Sequence, residues 1–112
     1  MLRPRNLDKI KSRVSVKYSL HPEAEEDLRE AARFYFERAG SALSLSLLRE
    51  FEHSVNLLLQ HPSLGALWQH DRRRYLMQRF PYSIVYTVLE EEIRIWAIAH
   101  HSRRPGYWRG RK

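Results

Sequence analysis

Residues 14–20 (VSVKYSL) alternate apolar and polar positions with valines early, and a period of two predicts a strand. His21-Pro22 stops it. Proline suits the first position of a helix, and Glu23, Glu25, Glu26 and Asp27 behind it suit the positive end of a helix dipole. Ala24, Leu28, Ala31, Tyr35 and Ala39 then recur at spacings of three and four, one apolar stripe of a helix. Gly40 stands where a helix end favours a left-handed residue, and Ser41 is placed to cap a second helix. That helix carries Leu45, Leu48, Phe51, Val55, Leu58 and Leu59 on one side and ends at His61-Pro62.

Residues 63–71 read as a connecting loop. Residues 73–80, 82–89 and 93–99 follow as successive strands, with Pro81 at the first corner and Glu90-Glu91-Glu92 forming a polar hairpin turn. The order β-α-α-β-β-β defines an α+β fold. A small, mostly antiparallel sheet with the helical hairpin packed on one face buries both apolar stripes.

A chain of 112 residues is one domain, assigned to residues 14–112. Residues 1–13 hold five Lys/Arg and little that could pack. They are expected to form a disordered basic extension or an over-extended gene start, with a polyphosphate-binding arm as the alternative. Cysteine is absent, which excludes disulfides and thiolate metal sites and fits a reducing compartment such as the cytoplasm. No apolar run approaches the ~20 residues that a membrane span requires, so no membrane association is expected.

Charge changes the picture. Lys+Arg number 20 against 13 Asp+Glu, for a net charge of +7. The acids crowd into residues 23–37 and 90–92, whereas bases crowd into the N-terminal segment, residues 72–79 and residues 103–112. Such a field draws polyanions or acidic protein surfaces. On the last strand, alternation sets Arg94, Trp96, Ile98 and His100 on one face and Ile93, Ile95, Ala97 and Ala99 on the other. The first set suits an open, partly wet face.

The tail HHSRRPGYWRGRK concentrates His100, His101, Arg103, Arg104, Tyr107, Trp108 and Arg109. Aromatic and guanidinium planes stack on bases and Arg forks pair with phosphates, so this mixture suits single-stranded nucleic acid. It also suits metal-free phosphodiester cleavage, in which a histidine or tyrosine moves protons while arginines stabilise charge on phosphorus. Alternatively, Tyr107 and Trp108 fold back as core plugs. The six histidines show no ligand spacing, His21 and His61 read as caps, and neither a metal nor a small-molecule cofactor is expected.

In three segments the chain resembles the RelE/ParE superfamily of toxins from type II toxin–antitoxin modules. They are His21-Pro22-Glu23-Ala24-Glu25-Glu26-Asp27-Leu28, then Arg79-Phe80-Pro81-Tyr82-Ser83-Ile84-Val85-Tyr86, and His100, Arg103, Pro105, Tyr107 and Trp108. The resemblance implies a cytosolic growth inhibitor neutralised by a cognate antitoxin, which lays an acidic or amphipathic segment over its groove and basic face. RelE-like members cut mRNA on the ribosome without metal, and on that reading Arg79, His100, Arg103 and Tyr107 are the catalytic set. ParE-like members are associated with DNA gyrase. Pro81-Tyr82-Ser83 stands where many RelE-like nucleases carry further bases, and the corner and tail are closer to the ParE side. Arg73, Arg74, Tyr82, Tyr86, Arg104, Trp108 and Arg109 are then expected to bind target or antitoxin. The alternatives are the mRNA endonuclease and a non-toxic nucleic-acid-binding module.

Overall fold

The computed structural model describes residues 17–102 and 107–111. The expected basic extension 1–13, the start of the first expected strand, and Arg103 and Arg104 lie outside the described residues.

The chain runs β1 (Lys17–Leu20), α1 (Pro22–Ala39), α2 (Ser41–Gln60), β2 (Ala66–Gln69), β3 (Arg72–Leu76), β4 (Tyr82–Leu89) and β5 (Glu92–His100). The five strands form one sheet in the order β1-β5-β4-β3-β2. β1 lies parallel to β5, and the other neighbours are antiparallel. The α+β class and the helical hairpin on one sheet face are as the sequence pattern predicts.

One strand was not foreseen. Residues 66–69, inside the expected loop, pair with β3 as an edge strand. This stretch has no β-branched residue and only four positions, so local pattern was silent and cross-strand bonding decided the outcome. β3 is also shorter than the expected 73–80. It stops at Leu76, and the following bend turns Met77 and Phe80 into the core, with the Met77 N–H donating to the Tyr82 carbonyl at 2.9 Å.

α1 starts as read. The His21 Nδ1 accepts the Glu23 N–H at 3.1 Å, satisfying one of the orphan donors of the first turn. Gly40, at φ +88°, closes α1 through its N–H to the Phe36 carbonyl and begins α2 directly. Ser41 is therefore the first residue of α2 and not its cap, a correction to the expected boundary. The buried stripe of α2 is also rotated from the expected one. Leu47, Phe51, Val55 and Leu58 are buried together with Ser44 and Ser54, while Leu45 is exposed. Ser44 fits there because its Oγ donates to the Ala32 carbonyl at 2.9 Å across the hairpin.

The helix side of the sheet contributes Tyr82, Ile84 and Tyr86 from β4 and Ile93, Ile95 and Ile98 from β5 to the main core. Fully burying an aliphatic side chain of this kind contributes about 1.5–3 kcal/mol. The spacing from Ile95 to Ile98 reveals a bulge. Val85 pairs with Ala97 but Tyr86 pairs with Ile95, leaving Trp96 as the extra residue. Strict alternation therefore fails halfway along β5. Arg94 and Trp96 do face away from the helices, but Ala97 joins them there and Ile98 turns into the core. The expected grouping of Ile98 and His100 with Arg94 and Trp96 is corrected by this one inserted residue.

Candidate functional site

β1 reaches only Ile95 on β5, because Pro22 turns the chain into α1. Beyond that point the backbone edge of β5 has no strand partner, and unpaired polar groups at a protein edge need other partners. Side chains supply them. The Asp27 Oδ2 accepts the Ile98 N–H at 3.1 Å, and Arg111 donates to the Trp96 carbonyl at 3.0 Å. Arg111 also meets Asp27 at 2.7 Å and Glu23 at 2.9 Å, and the Tyr107 hydroxyl donates to Asp27 at 3.3 Å. Burial works against the Arg111 charge, but the hydrogen bond and charge of Asp27, then Tyr107 and Glu23, outweigh it and raise its pKa. This cluster pins the end of the chain to α1.

Pinning the tail carries Trp108 onto the sheet face opposite the helices. There it packs with Val85 and Ala97 at 2% exposure, its ring 5.4 Å from that of Trp68. All three tryptophans of the chain stand on this face, interleaved with arginines. The Arg72 guanidinium lies 4.1 Å from the Trp96 ring centre and 5.1 Å from that of Trp108. Arg94 lies over Trp96 at 5.5 Å, and Arg74 over Trp68 at 4.7 Å. The order across the face is Arg94, Trp96, Arg72, Trp108, Trp68, Arg74.

Stacking of this kind holds each guanidinium plane in a fixed orientation. Burial pushes the Arg72 guanidinium down from its ordinary value, with Asp71 opposing. Arginine starts so far above neutrality that it stays cationic. Beside it a cavity of about 320 Å³ is bounded by Gln69, His70, Asp71, Trp108 and Arg109, and Arg109 donates to Gln69 at 3.0 Å. Chemically, the face offers positioned cations between apolar planes, suited to phosphates with stacked rings or to acidic side chains with an apolar neighbour.

The expected site residues divide. Arg74 and Arg109 reach this face. Arg73 does not, because one position along β3 turns it to the helix side, where it donates to the carbonyls of Gly65 at 2.8 Å and Ser63 at 3.3 Å. Tyr86 and Tyr82, expected as contacts, are core residues at 0% and 6% exposure. The Tyr86 hydroxyl is bonded to Pro62 and Gly65, and burial raises its pKa. Trp108 is a plug, the alternative left open for it, and it braces Arg72 instead of projecting to solvent.

Arg79 is exposed in the bend after β3. The His100 Nδ1 accepts the Ser102 N–H at 3.0 Å, its ring edge-on to Tyr82. The Tyr107 hydroxyl is bonded to Asp27 and lies 3.5 Å from the Ile98 carbonyl. Arg103 and Arg104 are outside the described residues. Missed altogether were Trp68, hidden in the supposed loop, Arg72 as the centre of the face, and Asp27 and Arg111 as the pin. The apolar run Ala66-Leu67-Trp68 between Gly65 and His70-Asp71 was too short to mark a strand or to place Trp68. Nothing in sequence spacing joins Asp27 to Arg111. Among the described residues, no three His, Cys, Asp or Glu side chains converge as a metal site, and no helix is long and apolar enough to cross a membrane.

A helical hairpin on one side of a five-stranded sheet, with a cationic, ring-braced surface on the other, defines a small α+β domain. The fold is similar to that of a solved structure titled "Chromosomal ParDE TA system from P. aeruginosa", with a TM-score of 0.64 and 24% identity, covering 75% of this chain and 91% of that one. A search of curated proteins returned no match. A family model described as the ParE toxin of the type II toxin–antitoxin system parDE matches residues 18–105, and the chain belongs to that family.

Proposed function

We propose that this protein is a growth-inhibiting toxin whose arginine–tryptophan face engages its target, with DNA gyrase as that target, and that a cognate antitoxin silences it. The observation that carries this reading is the interleaving of Arg94, Arg72 and Arg74 with the three tryptophans. It is a preorganised cationic surface whose side chains lose little further freedom on binding. An acidic or amphipathic antitoxin segment would be complementary to it. The engagement of the Tyr107 hydroxyl with Asp27 and of the His100 Nδ1 with Ser102 favours binding over mRNA cleavage, since both groups are committed within the fold.

Inducing the protein alone and labelling DNA, RNA and protein synthesis tests the proposal. DNA synthesis should stop first, and the purified protein should inhibit supercoiling by gyrase. An initial arrest of translation with cut transcripts would instead establish the endonuclease. Harmless expression with steeply salt-dependent binding to bare nucleic acid would establish the non-toxic module.

A further inference from the structure

On the helix side, where α1 passes the ends of β4 and β5, lies a cavity of about 470 Å³. Asp27, Glu30, Phe34, Tyr82, Ile98 and His100 line it. No lysine or arginine stands among its described lining residues, although the chain carries a net charge of +7. The chemistry is opposite to that of the tryptophan face, with carboxylates over apolar and aromatic walls.

Two guanidinium groups of the chain already occupy this neighbourhood. Arg111 is paired with Asp27 at 2.7 Å and lies 5.1 Å from the Tyr107 ring centre, and Arg38 lies over the Phe34 ring at 4.5 Å. Asp27 is therefore satisfied internally. Glu30 is exposed at the cavity and makes no hydrogen bond or ion pair within the described residues. Burial first, and then Tyr35 and Glu30, push the Tyr82 hydroxyl pKa up to about 12. His100 is held edge-on to Tyr82 with ring centres 5.0 Å apart, so the aromatic wall is fixed.

We infer that this cavity receives a basic side chain, arginine in particular, from a protein partner. A planar and weakly hydrated guanidinium gains from stacking on rings as well as from Glu30, whereas the more strongly hydrated lysine ammonium gains less from the apolar walls. Nucleic acid is excluded by its charge, and the volume suits one side chain of an extended segment. The inference does not depend on the target assigned to the opposite face.

The probe is the capped pentapeptide Gly-Gly-Arg-Gly-Gly, titrated into the full chain and followed by side-chain NMR. Saturable shifts at Phe34, Tyr82 and His100 are expected in the millimolar range. The same peptide with citrulline, which keeps the shape but not the charge, should bind about fivefold more weakly or worse. Glu30→Gln and Phe34→Ala, both at exposed positions, should leave the melting temperature unchanged and weaken the arginine peptide by about three- to fivefold. Equal binding of the citrulline peptide, or shifts confined to the tryptophan face, would overturn the inference. So would spermidine binding as tightly as the peptide, which would assign the cavity to free polyamines.

Discussion

The pin between Asp27 and Arg111 is the contact on which the placement of the tail depends, and it can be dissected quantitatively. Both side chains are under 10% exposed, at 8% and 9%. Asp27→Asn keeps an oxygen that accepts the Ile98 N–H but removes the charge, leaving the buried guanidinium only the largely exposed Glu23 as an anionic partner. Losing one member of a buried pair costs about 3–5 kcal/mol, a large share of the roughly 5–15 kcal/mol that holds such a domain together. At about 4–8 °C per kcal/mol for a domain near this size, the melting temperature should fall by roughly 12–40 °C. Asp27→Ala also orphans the Ile98 N–H and should cost about 1–3 kcal/mol more.

Arg111→Ala should recover much of the loss when combined with Asp27→Ala, because no charge is then left uncompensated. The coupling energy from the double-mutant cycle should be near 2 kcal/mol. Urea and thermal denaturation followed by circular dichroism give these values. Tryptophan emission gives an independent check, since freeing the tail should wet Trp108 and shift emission to the red before global unfolding. Strictly additive costs, or a loss below about 1 kcal/mol for Asp27→Asn, would show that the pair is a solvated ion pair and that the tail is held by something else.

Other outcomes follow from the same structure. Arg72→Ala or Arg94→Ala should abolish toxicity on induction while leaving far-ultraviolet circular dichroism intact, and Arg73→Ala should instead lower stability by about 1–2 kcal/mol through the lost loop bonds. A Cβ on Gly65 would lie 2.8 Å from two Tyr86 ring-side atoms and 3.0 Å from the Arg74 carbonyl, so Gly65→Ala should destabilise by about 1–3 kcal/mol in urea unfolding. The raised Tyr82 pKa carries a defined sign. The unfolded phenol ionises near 10 and the folded one near 12, so its share of stability is whole below pH 10 and is lost as pH climbs to about 12. Tyr82→Phe should flatten that alkaline decline, and an unchanged slope would refute the assignment.

Sequence by itself determined the class of the fold and the chemical character of the surface. Periods of two and of three to four placed the helices and most strands, since a residue's face follows from its spacing alone when nothing is inserted. The charge map located the basic segments, and His21-Pro22 with its acidic followers marked the helix start because capping is a local interaction. Tertiary structure decided what those basic segments do. One inserted residue at Trp96 inverted the faces of β5, and pairing with β3 made a strand of residues 66–69. Register within β3 separated Arg73, tied to loop carbonyls, from Arg72 and Arg74 on the opposite face. The approach of Arg111 to Asp27 spans 84 positions of chain, and no spacing rule reaches so far. Such contacts are set by which edge of β5 was left unpaired, a property of the assembled sheet and not of any stretch of sequence.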